Sequence, residues 1–368
     1  MKGLTFYALT LLVLLVSTQG DSHACTETRI MSKDGACVIG RSMEFAQEVN
    51  SNVIVQPRGQ ERVSDLPDKK EGMKWTSKYG VLYLDGFGLD IAVDGLNEKG
   101  LSVGALYFPD AAVYQEVEPG NESKAVASID LPLYILQNFT TVDEVREAIP
   151  NITVWGARVE ALGNIIVPVH WSVYQPDGKG IIIEYTKDGL SIYDSIGVMT
   201  NSPKYSWHLT NMRNFVGLNA ENAEPVVIEG ISFAATGQGS GLMSIPGDPT
   251  PPARFIRAGA MAYLASKVDT AEQAVNLSVH VLNTVDIPLG TIRNFEDGKT
   301  YHDYTQWIVS KDLTNKILYF RTYDNLTLKS VELSKFDLSP EGKKLVMPIN
   351  EDRHATIDVS SDLKSAEN

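Results

Sequence analysis

Two cysteines and six histidines in 368 residues leave little material for disulfide or metal chemistry. Two cysteines make no disulfide framework. No cluster of His, Cys and Asp has ligand spacing, so no metal and no cofactor are implied. Basic residues are also short, 32 against 46 acidic ones, giving a net charge of −14. An acidic chain is a poor candidate for nucleic acid or for an anionic membrane surface. Beyond the first 24 residues no uninterrupted apolar stretch approaches the length of a membrane span. There is no internal repeat and no Pro-rich or Gly/Ser-rich linker, so one domain over 25–368 is the simpler organisation. What is present is ordinary for a folded protein: 43% hydrophobic and 21% charged residues.

The amino terminus is the most informative segment. Lys2, the apolar run Phe6 to Val16 and then Ser22-His23-Ala24 read as a secretory signal with small residues at its cleavage site. Cutting after Ala24 removes residues 1–24 and exposes the α-amino group of Cys25. One residue then carries both a nucleophile and a base, the logic of N-terminal nucleophile hydrolases. A lipoprotein box would want Leu about three residues before the cysteine, where Ser22 stands. A disulfide has only Cys37 to pair with, in the apolar stretch Ala36-Cys37-Val38-Ile39, which reads as a buried, inert thiol. The mature protein is expected to be exported, periplasmic or secreted, and free of the membrane. Five Asn-x-Ser/Thr sequons, at Asn121, Asn138, Asn151, Asn276 and Asn325, matter only in a eukaryotic secretory host.

Strand signals dominate the rest. Gly80 to Tyr83, Leu89 to Val93 and Leu101 to Phe108 are short apolar runs, with Asp94-Gly95 and Lys99-Gly100 reading as turns between the last two. Val169 to Tyr174, Gly180 to Tyr185 and Leu190 to Tyr193 form a second set. Gln306 to Ser310 and Lys316 to Thr322 form a third. Helical pattern comes in pairs: Leu131 to Gln137 with Thr141 to Ile149, and Pro252 to Val268 with Ala271 to Thr284. Strands in runs and helices in pairs predict α+β layers built on meandering antiparallel sheet. The tail from Asn350 to Asn368 is polar and expected to fray.

If Cys25 opens a strand and Val38-Ile39 lies on its hairpin partner, Arg41 and Glu44 return beside the N-terminus. A guanidinium there favours thiolate, and a carboxylate there can hold the α-amine. A surface Arg–Glu pair is the plainer alternative. Asn97 reads as a turn residue, and His170, beside Trp171 in a strand, as structural.

Taken in order, the motifs resemble one family. Cys25-Thr26, Gly40-Arg41-Ser42-Met43-Glu44, Asn97-Glu98-Lys99-Gly100-Leu101 and Leu106-Tyr107-Phe108-Pro109 are similar to the choloylglycine hydrolase family, which holds conjugated bile salt hydrolases and penicillin V acylases. His170-Trp171, Thr200 to Pro203, Asn211 to Asn214, Ile245 to Asp248 and Pro252 to Phe255 extend the match. The resemblance implies a four-layer αββα fold with two stacked antiparallel sheets. It implies that Cys25 is the nucleophile and Arg41 the arginine beside it. By the same resemblance Asn201 helps form the oxyanion hole and Arg254 helps order the site. Glu44 stands where the family usually has Asp. Tyr107 stands where bile salt hydrolases typically carry Asn and some penicillin V acylases Tyr, which makes it a substrate-binding candidate favouring aromatic acyl groups.

These readings converge on an exported amidase acting on a small-molecule amide. Penicillin V and N-acyl homoserine lactones lead as substrates, and conjugated bile acids are the alternative. A non-catalytic exported binding protein is the alternative of another class. A homo-oligomer is compatible with everything above.

Overall fold

The computed structural model describes residues 24–67, 70–296, 298–350 and 357–362. The signal reading therefore lies outside the described residues except for Ala24, as does most of the tail. Two antiparallel sheets form the frame. From edge to edge the first runs Val198–Met199, Cys25–Met31, Cys37–Phe45, Lys299–Asp312, Ile317–Thr322 and Lys329–Glu332, with Ile292–Glu296 also paired to Lys299–Asp312. The second runs Gly189–Asp194, Gly180–Thr186, Val169–Tyr174, Ser102–Tyr107, Leu89–Asn97, Val81–Gly86, Asn52–Gln56 and Leu345–Pro348.

The sheets stack face to face, and helices cover both outer faces. Helices Pro251–Leu264 and Ala271–Asn283 pack on the first sheet. Helices Leu131–Asn138 and Val142–Ala148 pack on the second. The four layers explain why so many strands read as continuous apolar runs rather than alternating ones. In Ile181-Ile182-Ile183 the middle side chain joins the core between the sheets, and its two neighbours join the core under the second helix pair.

Local chemistry sets the helix ends. Thr141 and Glu144 form a reciprocal capping box. Thr270 caps its helix by accepting from the Gln273 N–H. Pro251 and Pro252 begin theirs where a missing N–H costs nothing. A further helix, Tyr205–Met212, has no counterpart among the predicted elements.

One predicted turn is overturned. Asp94-Gly95 lies inside strand Leu89–Asn97, with Gly95 opposite both Tyr83 and Val103. A side chain at Gly95 would come within 2.7 Å of Tyr83 Cβ and Leu82 O, so glycine there serves close strand approach. Gly100 is a true turn residue, at φ +86°.

Candidate active site

Cys25 begins the first strand and is 1% exposed. The hairpin register sets it opposite Met43 and sets Glu27 opposite Arg41. Successive strand side chains alternate between faces, so Cys25, Glu27, Arg41 and Met43 all point into the space between the sheets.

Arg41 is fully buried and every contact aims it at the sulfur. Its Nη2 lies 3.6 Å from Cys25 Sγ and donates to Ala105 O at 2.5 Å. Its Nη1 donates to the Val93 carbonyl and to Asp94 Oδ2, the latter at 3.2 Å. The guanidinium carbon sits 5.5 Å from the centre of the Trp307 ring. Burial alone would lower its pKa, but the Cys25 sulfur and Asp94 outweigh burial and raise it. The cation is permanent.

Strand Val198–Met199 pairs with the first strand and delivers Asn201 to the Cys25 backbone. Asn201 Oδ1 accepts from Cys25 N at 2.8 Å and from Arg254 Nη2 at 2.7 Å. Asn201 Nδ2 donates to Tyr107 O at 2.8 Å. Arg254, on helix Pro251–Leu264, donates through Nη1 to Cys25 O and to Thr26 Oγ1, each at 2.6 Å. Burial presses its pKa down, and the facing Glu44 pushes back.

Glu44 follows a β-bulge at Met43/Glu44. Its Oε1 accepts from Thr305 Oγ1 at 2.8 Å. Burial lifts this carboxyl to about 7, against the lowering effect of Arg254. Its backbone N–H donates to the carbonyl of Ala24 at 2.9 Å. The Cys25 nitrogen is a peptide amide with a single hydrogen, donated to Asn201.

A largely apolar pocket opens from the thiol. Its walls are apolar, including Phe45, Phe87, Ile91, Val93 and Ile129. Cys25 and Arg41 form its polar end, and Tyr107 lines it with its ring edge-on to Phe45 at 5.8 Å. The structure thus brings Cys25, Arg41, Glu44, Asn201, Arg254 and Tyr107 around one point.

The remaining candidates fall elsewhere. Cys37 is buried, and burial pushes its thiol up to about 12. Both cysteines are free. Asn97 bonds the carbonyls of Leu136 and Phe139 and accepts from Lys99 N and Leu101 N. Among the described residues no group of three His, Cys, Asp or Glu could hold a metal ion.

Behind these residues lies a supporting shell, of which sequence reasoning marked only His170, as structural. His170 stacks on Phe108, and its ring nitrogens lie 3.0 Å from Glu184 Oε1 and 2.9 Å from Thr200 O. His208 stacks on Phe255, and its Nε2 lies 2.9 Å from Asn201 O. Burial pushes His208 down to about 4, so near neutrality it is an uncharged imidazole donating to that carbonyl. The two rings bracket the peptide that carries Asn201. Asp94, Glu27 and Lys311, all fully buried behind Arg41, were missed as well. Nothing in a one-dimensional pattern marks a lysine as interior.

The profile of the linear amide C-N hydrolases, choloylglycine hydrolase family, matches residues 25–349. The chain belongs to this family. It is a hydrolase of linear amide bonds. It is 33% identical over 318 residues to a bile salt hydrolase/transferase of Clostridium perfringens, an alignment that covers 85% of this chain and 94% of the relative. A solved structure of a mutant conjugated bile acid hydrolase from Clostridium perfringens superposes with a TM-score of 0.79 at 30% identity, covering 91% of this chain and all of that one. The fold is shared with a penicillin V acylase from Agrobacterium tumefaciens at a TM-score of 0.73 and 23% identity, covering 93% of this chain and 98% of that one.

Proposed function

We propose that this hydrolase, exported and cut after Ala24, cleaves an amide joining a bulky apolar acyl group to a small polar amine. The observation that carries the reading is the Cys25 thiol, 3.6 Å from a permanent guanidinium, at the polar end of an otherwise apolar cavity. The thiolate attacks the amide carbonyl carbon. The C–N bond breaks, and the α-ammonium of Cys25 gives its proton to the leaving amine. Water then cleaves the thioester, releasing the acid and restoring the thiol. In simple peptides an α-amine titrates near ~7.7–8.0 and a thiol near ~8.5, so both change state close to neutrality. In this reading Arg41 steadies the sulfur, and Asn201 contributes to the oxyanion site once the nitrogen is freed. Arg254 fixes the Cys25 backbone, and Glu44 turns to the new ammonium group.

Conjugated bile acids lead as substrates. The order expected from the sequence, with penicillin V and acyl homoserine lactones first, is reversed. The reason is that relatives at 30% identity and above, matched over nearly their whole length, are named for bile acids. The penicillin V acylase structure at 23% identity supports the fold alone. Tyr107 favours the second reading, because a phenol edge in an apolar cavity suits an aryl acyl group. Measuring kcat/KM on glycocholate, penicillin V and an N-acyl homoserine lactone tests the order. Glycocholate is expected to be best; penicillin V best by tenfold or more would restore the first order.

A further inference from the structure

Four charged side chains meet between the sheets, directly behind the thiol. Glu27, Arg41 and Lys311 come from neighbouring strands of the first sheet, and Asp94 crosses from the second. All four are fully buried. Asp94 is divided between the two cations: Oδ2 lies 3.2 Å from Arg41 Nη1, and Oδ1 lies 2.9 Å from Lys311 Nζ. The lysine contact is close in distance but poorly aligned for a hydrogen bond, so it is chiefly a contact of charge. Glu27 is farther, its Oε2 at 3.8 Å from Lys311.

The charges do not cancel by pairs. Burial raises the pKa of Glu27, against the pull of Lys311. Tyr174 and Cys37 are both held protonated by burial, and Asp312, next along the strand from Lys311, turns to Asn315. On the far side of the thiol, Arg254 faces Glu44. Asp94 is thus shared by two cations, and beyond Asp94, two backbone carbonyls, the Met43 sulfur and the Trp307 ring, Arg41 meets the Cys25 sulfur.

We propose that Lys311 is a positioning residue for the reaction: by occupying half of Asp94, it leaves the guanidinium of Arg41 with charge to spend on the Cys25 thiolate. Without Lys311, Asp94 would neutralise Arg41 and compete with the sulfur for it. The inference rests on Cys25 being the nucleophile, but its test does not use turnover.

The measurement is the pH profile of iodoacetamide alkylation of the purified protein, read by mass on the peptide that contains Cys25. Cys37 is silent over this range because its thiol stays protonated. Lys311→Gln keeps a donor for Asp94 and removes only the charge. Its profile is expected to move up by about one pH unit, a loss of about tenfold in rate at pH 6. Lys311→Arg, which keeps the charge, should restore the original profile. An unshifted profile in folded Lys311→Gln would overturn the proposal, even if turnover fell. Should Lys311→Gln fail to fold, Glu27→Gln carries the test. It removes only the farther carboxyl contact of Lys311, at 3.8 Å, and leaves Asp94 in place, so the profile should hold. A tenfold faster alkylation at pH 6 would mean that an ionised Glu27 had already cancelled Lys311, and the proposal would fall. A failure of substrate turnover with normal alkylation profiles would count against the proposed function and leave this device standing.

Discussion

The side-chain oxygen of Asn201 accepts a hydrogen bond from the backbone nitrogen of Cys25 at 2.8 Å. Through that bond, a residue 176 positions away fixes the nitrogen that would become the α-amine under the proposed cut after Ala24. The Glu44 N–H meanwhile holds the carbonyl of Ala24 at 2.9 Å. The Ala24–Cys25 peptide is thus held on both sides. Active protein is expected to begin at Cys25, as intact mass would show; an active species retaining Ala24 would contradict the α-amine mechanism.

The two thiols should separate cleanly. Cys25→Ala is expected to abolish turnover with the fold intact, since the side chain is small and starts a strand. Cys37→Ala should keep most activity, because that thiol is buried and held protonated. Steady-state rates with circular dichroism check both. A dead Cys37→Ala enzyme beside an active Cys25→Ala enzyme would reverse the assignment.

Glu44 links the site to pH. Its folded pKa is raised to about 7, so the folded chain holds this proton more tightly than the unfolded chain. The contribution to stability is full below the ordinary carboxylate range and is lost as pH rises through about 7. In the uncut Cys25→Ala protein, urea midpoints should fall between roughly pH 4.5 and 7, and adding Glu44→Gln should flatten that fall. The same slope with Gln in place would assign it to other groups.

His208 holds the Asn201 carbonyl as a neutral donor. Replacing it with Phe keeps the stacking on Phe255 and removes the hydrogen bond. A hydrogen bond of about 1 kcal/mol translates to a several-fold loss. The loss should fall on kcat with KM little changed, and His208→Gln should recover part of it. A loss confined to KM would show that the ring only shapes the cavity.

Much of this arrangement is legible in the sequence, for reasons that are local. The Thr141 capping box and the Pro251-Pro252 start each carry their own chemistry within a few positions. The apolar runs announce strands because both faces of both sheets are covered. What stays hidden depends on distant packing. Asp94-Gly95 has turn chemistry, yet Tyr83 and Val103 press against Gly95 from both sides and hold it in a strand. Lys311 falls just past the predicted run Gln306 to Ser310, and only Asp94, 217 positions earlier and 2.9 Å away, explains its place inside. The hairpin of Val226–Ile228 and Ile231–Phe233 carries exposed apolar residues on both faces, and neither strand was foreseen.

Tyr107 should tune the choice of acyl group. Its ring narrows the cavity against Phe45. One aromatic contact is worth about 0.5–1.5 kcal/mol, up to roughly tenfold in rate. Tyr107→Asn should raise the ratio of kcat/KM for glycocholate over penicillin V by about tenfold or less. A fall in that ratio would remove Tyr107 from the specificity argument.

The central claim is that Cys25, as the first residue of the mature chain, carries the acyl group during turnover. The direct measurement is rapid acid quench during glycocholate hydrolysis, followed by proteolysis and peptide mass mapping. The account predicts a cholyl thioester on the peptide whose first residue is Cys25, absent in Cys25→Ala and discharged by hydroxylamine. Turnover of glycocholate with the acyl group on another residue, or on a peptide that still contains Ala24, would contradict it.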